Sequence, residues 1–394
     1  MARITLRSGR VQPVWAGHPW VFAQAIERID GAPAPGDAVD VLDPRGNFLG
    51  RGFWSRSSAI PVRIIVRDPD EALDERALVK RIEAARERRT RIGLPDDRTD
   101  AYRLIHGEGD DLPGLVVDVY RDAAAVQITT QGMKRHEDAV FAAVARVTGA
   151  RSVLEVPAAA SQKTEGLAAA RRVVRGPDIE QLKFQENGFR FSIDASGTQK
   201  TGYYVDQRDN RALVEKLARG RRALDLYSYV GSFALAAARG GAVSVESYDS
   251  SASAIAQGAS IAAVNGFADK IRLAHGDARR VLSRLQQSKA RFDLAIVDPP
   301  KLAPSIRHLR RAKSAYRKLN AMVFGLMERG GIVVSCSCSA ALRGEELLRI
   351  LSLSARDARR EVRLLWMGQQ GMDHPVPAAF PEGRYLKAAF VEIG

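Results

Sequence analysis

Acidic side chains follow a series of short apolar segments in the second half of the chain. Three of these segments end at Asp225, Asp249 and Asp298, and a fourth is followed by Asp277. A fifth runs into Ser335-Cys-Ser-Cys-Ser339. Because ligands of open parallel sheets bind at the carboxyl edge of the strands, we expect these carboxylates and a thiol to share one cleft. Such a cleft suits a cationic nucleoside cofactor and a nucleobase.

The stretch after the first apolar segment indicates what kind of cofactor this is. Gly231 lies just before a predicted helix and allows the backbone to approach a ligand. One glycine cradles a diphosphate poorly, so a cofactor without phosphates is favoured. Asp249 stands where a carboxylate binds a ribose diol, and Asp277 could accept a hydrogen bond from an adenine amino group. Taken singly, each aspartate could equally be a helix N-cap.

The motif Asp298-Pro-Pro-Lys301 presents an acid rigidly, because two prolines fix the turn and remove two N–H donors. The thiols are Cys336 and Cys338, the two cysteines of the chain. Two residues apart on a predicted strand, they face the same side and are poorly placed for a disulfide. Two sulfurs with no nearby histidine also make a weak metal site, so no metal is expected.

Helical segments alternate with these strands, which predicts right-handed crossovers and a parallel sheet. The predicted helices are 209–219, 233–239, 251–265, 278–287, 312–328 and 344–356. Two further strands, 362–367 and 384–393, form a hairpin-like pair that is expected to add an antiparallel edge.

The first half of the chain has a different pattern from the alternating strands and helices of the second half. Residues 1–68 have the strand-and-turn rhythm of a small all-β unit, and Asp68 is predicted to open a helix that continues to about Arg91. The basic face of this helix is either simply solvated or an RNA contact. A strong hairpin signal, Asn187-Gly188, precedes the last boundary. The predicted domains are 1–68, 69–194 and 195–394.

Bulk properties limit the partners. The chain has 394 residues, with 60 Lys and Arg against 46 Asp and Glu, which gives a net charge of +14. This excess favours polyanionic partners, although an arginine-rich composition without functional meaning is the alternative. The longest apolar runs are too short to span a membrane, and the N-terminus lacks the apolar core of a secretion signal. A cytoplasmic location is therefore expected.

Several longer motifs carry a family resemblance that covers essentially the whole chain. They are 17–22 (Gly-His-Pro-Trp-Val-Phe), 197–211, Asp373-His-Pro and 381–387 (Pro-Glu-Gly-Arg-Tyr-Leu-Lys). With Asp298-Pro-Pro, they make the second half resemble a class I S-adenosylmethionine-dependent methyltransferase. The whole chain is similar to the bacterial 23S ribosomal RNA cytosine-5 methyltransferase I family.

The resemblance implies an α/β protein: a small PUA-like β-barrel, a central α/β domain and a C-terminal Rossmann-like, seven-stranded class I methyltransferase domain. It implies S-adenosyl-L-methionine as cofactor and 23S ribosomal RNA as partner, with no membrane and no metal. The sequence does not determine the oligomeric state, and a homodimer is one possibility. The expected cofactor-binding residues are Lys200, Tyr204, Asp206, Arg208, Asp225, Tyr227, Gly231, Asp249, Asp277 and Asp298. Arg208 is suited to pair the methionine carboxylate.

The resemblance also implies the catalytic residues. Cytosine C5 takes a methyl group only after a thiolate has added to C6, because that addition turns the ring into an enamine. Cys338 occupies the family's nucleophile position, and Asp298 would bind the N3 and amino edge of the base. Cys336 fits better as an inert core thiol. The base that removes the C5 proton is unassigned, and so is the group that helps Cys338 to ionise.

Two other functions stay open at this point. An Asp-Pro-Pro motif also suits methylation of a guanine ring nitrogen or an exocyclic amine, which needs no thiol. Alternatively, the chain is a non-catalytic RNA-binding protein with a degenerate methyltransferase domain. Val230 and Ser232 favour that alternative, since the family usually has Thr-Gly before the Phe of this motif.

Overall fold

The computed structural model describes residues 1–158, 165–167, 170–195, 201–303 and 306–394. The chain divides into two compact units, one of residues 1–205 with 372–383 and the other of residues 206–371 with 384–394. The three domain boundaries expected from the sequence stay a prediction. The predicted loop 158–170 lies largely outside the described residues.

The first unit contains mainly β structure. Its strands are β1 (Ala2–Leu6), β2 (Trp20–Val21), β3 (Ile26–Asp30), β4 (Ala38–Leu42), β5 (Phe48–Trp54), β6 (Val62–Val66), β7 (Ala101–His106), β8 (Leu115–Tyr120), β9 (Ala123–Ile128), β10 (Ser152–Glu155), β11 (Arg172–Arg175), β12 (Gln181–Glu186) and β13 (Phe189–Asp194). The α-helices given bounds among its described residues are α1 (Val11–Trp15), α2 (Glu75–Arg91), α3 (Gln131–Arg135) and α4 (Glu137–Thr148).

The described strands of this unit form three sheets. Their orders are β2-β6-β5-β4-β1-β3, β11-β10-β9-β8-β7 and the hairpin β12-β13. The hairpin turns at Asn187 and Gly188, which both have positive φ, as the Asn-Gly signal predicts. Residues 1–68 are not entirely β, because α1 interrupts them.

Helix α2 begins at Glu75, later than the sequence predicted from Asp68. The side chain of Asp74 accepts a hydrogen bond from Ala77 N at 3.0 Å, so Asp74 is the N-cap that starts the helix. Five arginines of this helix have protein partners within this unit: Arg81 binds Glu71, Arg88 and Arg89 bind Asp110, Arg86 binds Val147 O, and Arg91 binds Glu87. These contacts use the arginines within the unit, and an RNA contact by the same face stays a prediction.

The second unit alternates helices and strands as predicted. The helices are α5 (Arg208–Leu217), α6 (Ser232–Arg239), α7 (Ala252–Val264), α8 (Ala278–Gln287), α9 (Leu309–Phe324) and α10 (Gly344–Asp357). The strands are β14 (Arg222–Leu226), β15 (Ser244–Asp249), β16 (Ile271–His275), β17 (Phe292–Val297), β18 (Met327–Ser337), β19 (Val362–Gly368) and β20 (Lys387–Ile393). Helix α9 ends before the predicted Glu328, because Gly325 caps it and β18 begins at Met327.

The strands of the second unit form one sheet with the order β16-β15-β14-β17-β18-β20-β19. The first five strands are parallel, and β20 is antiparallel to both β18 and β19. The last two strands therefore add an antiparallel pair at the edge of the sheet, as the sequence predicted, with β20 next to β18 and β19 outermost. Burial explains the order: β20 is almost entirely buried, while β19 exposes Leu364, Leu365 and Trp366.

Over the residues described, no helix is both long enough and apolar enough to cross a membrane. The same residues contain no group of three or more His, Cys, Asp or Glu side chains placed to hold a metal ion.

Candidate active site

The carboxyl ends of β14, β17 and β18 bring several of the predicted residues to one edge of the sheet. Asp225 of β14 pairs with Ile296 of β17, and Val297, the last residue of β17, pairs with Ser335 of β18. Asp298 and the segment that carries Cys338 therefore leave neighbouring strands on the same side. This is the edge at which ligands of doubly wound sheets bind.

The loop between β14 and α6 has an unusual backbone. Tyr227, Tyr229 and Gly231 all have positive φ, at 61°, 52° and 77°. An L-residue in this region costs about 1–2 kcal/mol, and such strain clusters at ligand sites. Asp249 supports the loop, since its carboxylate accepts hydrogen bonds from Tyr229 N at 2.9 Å and Ser251 N at 2.8 Å.

Asp249 rather than Glu246 faces this loop. The carboxylate of Glu246 accepts a hydrogen bond from the Tyr248 hydroxyl and lies 3.7 Å from Arg272, so it is engaged elsewhere. A carboxylate oxygen can accept more than one hydrogen bond. The contact of Asp249 with a ribose diol thus stays compatible with its backbone contacts, and it stays a prediction.

Asp225 is the most buried acid of the edge, with 1% of its surface exposed. Burial raises the pKa of its carboxyl well above the usual range, and the charges of Asp298 and Asp249 act in the same direction. Neither oxygen makes a well-formed hydrogen bond to a described residue, and weaker contacts with the Ala234 amide and the Ser247 hydroxyl offset the shift only in part. A buried acid of this kind is costly unless a ligand complements it. It fits the cationic amino group of an amino-acid-bearing nucleoside.

The pKa shift of Asp225 leads to a pH-dependent binding prediction. In the ligand-free protein this carboxyl takes up a proton at a higher pH than an ordinary aspartate, and a cationic ligand must displace that proton. We expect the affinity for S-adenosylhomocysteine to fall as the pH is lowered through the raised pKa. Calorimetry over a series of pH values measures this effect, and Asp225→Asn should bind more weakly with a flatter profile. An unchanged profile in that variant would contradict the role of Asp225.

Asp277 is the N-cap of α8. Its Oδ1 accepts hydrogen bonds from Arg279 N and Arg280 N, both at 3.1 Å, and the residue is exposed. Asp277 lies close to Tyr227, whose pKa is raised by burial and then by the Asp277 charge. In the structure Asp277 therefore acts as a helix N-cap. An adenine contact by the same carboxylate stays a prediction.

The motif around the start of α5 contributes two buried residues to the second unit. Asp206 accepts a hydrogen bond from the Tyr385 hydroxyl at 2.6 Å, and Arg208 is 6% exposed with its Nε 3.7 Å from Asp209. Tyr204 belongs to the first unit and is half-buried. Lys200 lies outside the described residues. Cofactor contacts by these four residues stay predictions.

Gln207 is a site residue that the sequence analysis missed. It is 2% exposed, and its Nε2 donates to Asp298 Oδ2 at 3.0 Å. Its Oε1 accepts from Asn210 Nδ2 at 2.6 Å, which fixes the orientation of the amide. Gln207 also contacts the thiol of Cys336. It therefore orients Asp298, and its position between Asp206 and Arg208 was the signal that could have identified it.

The two thiols have different environments. Cys336 is fully buried on β18, and burial followed by the Asp298 charge raises the pKa of its thiol well above the usual range. Cys338 is half-buried and lies beyond the end of β18 at Ser337, so the two cysteines do not share one strand as predicted. Cys336 has the environment of an inert core thiol, whereas Cys338 is partly accessible.

The segment after β18 is held from three sides. The Tyr316 hydroxyl of α9 donates to Ser337 Oγ at 3.0 Å, Ala303 N donates to Ser339 Oγ at 3.3 Å, and Lys387 Nζ donates to Ser339 O at 2.7 Å. Burial raises the pKa of Tyr316, and charges on Cys338 and Asp298 raise it further. Cys338 and Asp298 therefore both lie within electrostatic range of one hydroxyl.

Gly231 allows a stability prediction with an internal control. A Cβ at Gly231 would meet Leu273 Cδ2 at 3.1 Å, whereas a Cβ at Gly266 would meet nothing within 4 Å, at nearly the same positive φ. Gly266→Ala should lower the free energy of unfolding by about 1–2 kcal/mol through backbone strain alone. Gly231→Ala should cost more and should also weaken S-adenosylhomocysteine binding. Urea unfolding measures the loss of stability in each variant, and calorimetry measures the binding of S-adenosylhomocysteine. If the two variants lose the same free energy of unfolding and Gly231→Ala binds the ligand normally, Gly231 does not belong to the cofactor site.

Comparisons with known proteins agree with this geometry. A family model described as an S-adenosylmethionine-dependent methyltransferase matches residues 103–365, and a PUA-like domain model matches residues 4–67. The fold and the site together define an S-adenosylmethionine-dependent methyltransferase, and its cofactor is S-adenosyl-L-methionine. The α/β architecture and the N-terminal PUA-like domain expected from the sequence are confirmed.

Full-length relatives identify the family. A ribosomal RNA large subunit methyltransferase I from Shewanella denitrificans is 34% identical over 394 residues, which is 99% of each chain. Its counterpart from Erwinia tasmaniensis is 35% identical over 98% of each chain. The chain belongs to the ribosomal RNA large subunit methyltransferase I family.

Solved structures show the same fold. An S-adenosylmethionine-dependent methyltransferase from Streptococcus mutans is 20% identical with a TM-score of 0.85, and it covers 100% of both chains. A methyltransferase solved in complex with S-adenosylhomocysteine has a TM-score of 0.86 at 20% identity, again over 100% of both chains. At this identity the likeness concerns the fold.

Proposed function

We propose that the protein methylates C5 of a cytosine in 23S ribosomal RNA, with Cys338 as the nucleophile. The name of its full-length relatives supports large-subunit ribosomal RNA as substrate. The observation that carries the C5 specificity is the half-buried thiol of Cys338 at the sheet edge that also holds Asp298. Methylation of a guanine nitrogen or an exocyclic amine needs no thiol there.

The residues of the site have distinct parts in this reaction. The thiolate of Cys338 adds to C6, and the displaced electron pair makes C5 nucleophilic. Asp298, oriented by Gln207, binds the amino group and N3 of the ring and stabilises the charge that develops there. Loss of the C5 proton to a base then expels the thiolate and restores the aromatic ring.

The cofactor supplies an electrophilic methyl group when it is bound. Asp225 fits its amino group, and Arg208 fits its carboxylate. Asp249 and the loop that ends at Gly231 fit the ribose side. The PUA-like domain and the net charge of +14 would hold RNA phosphates, while a flipped base enters the cleft.

The product identifies the reaction directly. Nucleosides from ribosomal RNA treated with the protein and S-adenosylmethionine should contain 5-methylcytidine by mass spectrometry. Bisulfite mapping of ribosomal RNA from a strain without the gene should show the loss of one modified cytosine. A methylated guanosine would contradict the proposed target. Absence of any product together with absence of S-adenosylhomocysteine binding would favour a non-catalytic RNA-binding protein.

A further inference from the structure

Lys387 is a buried lysine beside the segment that carries Cys338. It is the first residue of β20, it is 7% exposed, and it pairs with Ser337 of β18 in the antiparallel register. Its Nζ donates hydrogen bonds to Ser339 O at 2.7 Å and to Tyr385 O at 2.8 Å. The ammonium group is thus anchored to the residue that follows Cys338. An ammonium has three N–H bonds, so these two carbonyls do not use all of its donors.

A lysine is rarely buried to this extent without a paired charge. The ion pairs of the described residues do not include Lys387, and the nearby acid Glu346 is bound by Lys313 instead. Burial lowers the pKa of Lys387 to about 8, and the charge of Cys338 is the largest influence that favours its protonated form. A thiolate at Cys338 would therefore compensate the ammonium charge more than any other neighbouring group.

We propose that Lys387 is a positioning residue whose ammonium group stabilises the thiolate of Cys338 and thereby makes this thiol nucleophilic near neutral pH. This inference rests on the proposed function, because it supplies the ionisation that the C6 addition requires. A neighbouring lysine cation is a known means of favouring a thiolate. Lys387 acts through the sulfur and not on the base.

The other charged and titratable groups around the two residues do not replace this cation. They are Asp298, Lys301, Tyr316, Cys336 and Glu346. The negative charge of Asp298 opposes a thiolate. The raised pKa values of Tyr316 and Cys336 keep both groups neutral near neutral pH. Lys301 is cationic but exposed, so solvent screens its effect.

The protons and electrons of the step balance without a further reactant. The S–H proton leaves to solvent, and the electron pair on sulfur forms the S–C6 bond. When the product forms, the S–C6 bond breaks and its electron pair returns to sulfur beside the ammonium. Lys387 carries its proton throughout, so it is neither an acid nor a base in the cycle.

Alkylation kinetics test this inference without RNA. The chain has two cysteines, so the full-length Cys336→Ala variant contains Cys338 as its single thiol. Its rate of reaction with iodoacetamide should rise with pH at a midpoint below the value of a free cysteine, about 8.5. Adding Lys387→Met should raise that midpoint and slow the reaction at neutral pH about tenfold. Lys387→Arg should keep the low midpoint, and Lys301→Met should change it less.

A second substitution and two folding controls keep the test decisive if one variant folds poorly. Lys387→Gln keeps hydrogen-bond donors for the two carbonyls but removes the charge, and it should repeat the Lys387→Met result. Thermal unfolding and S-adenosylhomocysteine binding report whether each variant is folded. A midpoint at or above that of a free cysteine in the Cys336→Ala protein overturns the inference whatever the variants do. So does an unchanged midpoint in folded Lys387→Met. A low midpoint with no 5-methylcytidine would instead overturn the proposed function.

Discussion

Replacing Cys338 with alanine should lower 5-methylcytidine formation by about four orders of magnitude or more, because the reaction loses its nucleophile. Binding of S-adenosylhomocysteine should change little, since Cys338 is not among the expected cofactor residues. The measurement is single-turnover transfer of a labelled methyl group to ribosomal RNA, with calorimetry on the same protein sample.

Cys336→Ala is the matched control for this experiment. Cys336 is fully buried and Cys338 is half-buried, although the two are only two residues apart. The control should lose some stability through the small cavity that it creates, but it should still form product. If Cys338→Ala retains full activity, or if Cys336→Ala alone abolishes it, the assignment of the nucleophile is wrong.

Asp298→Asn should have the second largest effect. The carboxylate lies at the end of β17 and is oriented by Gln207 at 3.0 Å. Its charge-stabilising contact with the base would be realised mainly in the transition state, so kcat should fall by about 10²–10³. Single-turnover rates at saturating RNA and cofactor measure this loss.

The control for Asp298→Asn lies on the strand that Asp298 follows. Asp293 stands at the opposite end of β17 and binds Arg222 at 2.9 Å, an ion pair that also holds the pKa of Asp293 below its usual range. Asp293→Asn should weaken this pair and reduce stability slightly, with no loss in the rate of methyl transfer. Equal rate losses in the two variants would indicate a general effect on the sheet rather than a role for Asp298 in the chemistry.

The sequence predicted the parts of the fold that depend on local patterns. Alternating apolar strands and helices gave the parallel sheet, and the Asn187-Gly188 dipeptide gave the hairpin turn. The antiparallel pair at the edge of the sheet was also predicted, but the order of its two strands was not, because local periodicity does not say which strand is covered by neighbours. Only the burial of β20 against the exposed side chains of β19 determines that order.

The site shows a similar division. Residues at strand ends, such as Asp225 and Asp298, were predictable because every parallel strand ends at the same edge. Gln207 and Lys387 were not, since their roles arise from contacts with residues that are 91 and 48 positions away in the sequence. No rule of sequence spacing connects Gln207, which lies just before α5, with Asp298, which follows β17.

Asp249 and Asp277 illustrate a different difficulty. The sequence left each aspartate open as either a ligand-binding group or a structural cap. In the structure Asp277 caps α8 and Asp249 holds the loop at Tyr229. Backbone support and ligand binding use the same oxygens at the same sheet edge, so one does not exclude the other. Only ligand-binding measurements on variants separate the two roles.

Covalent trapping on RNA that contains 5-fluorocytidine tests the central claim most directly. Fluorine at C5 blocks the final elimination, so a protein that uses C6 addition stays attached to its substrate after methyl transfer. We predict an RNA–protein adduct that forms with S-adenosylmethionine present, with peptide mass spectrometry locating the nucleotide on Cys338. Methyl transfer without any adduct, or an adduct on another residue, would contradict the thiolate mechanism.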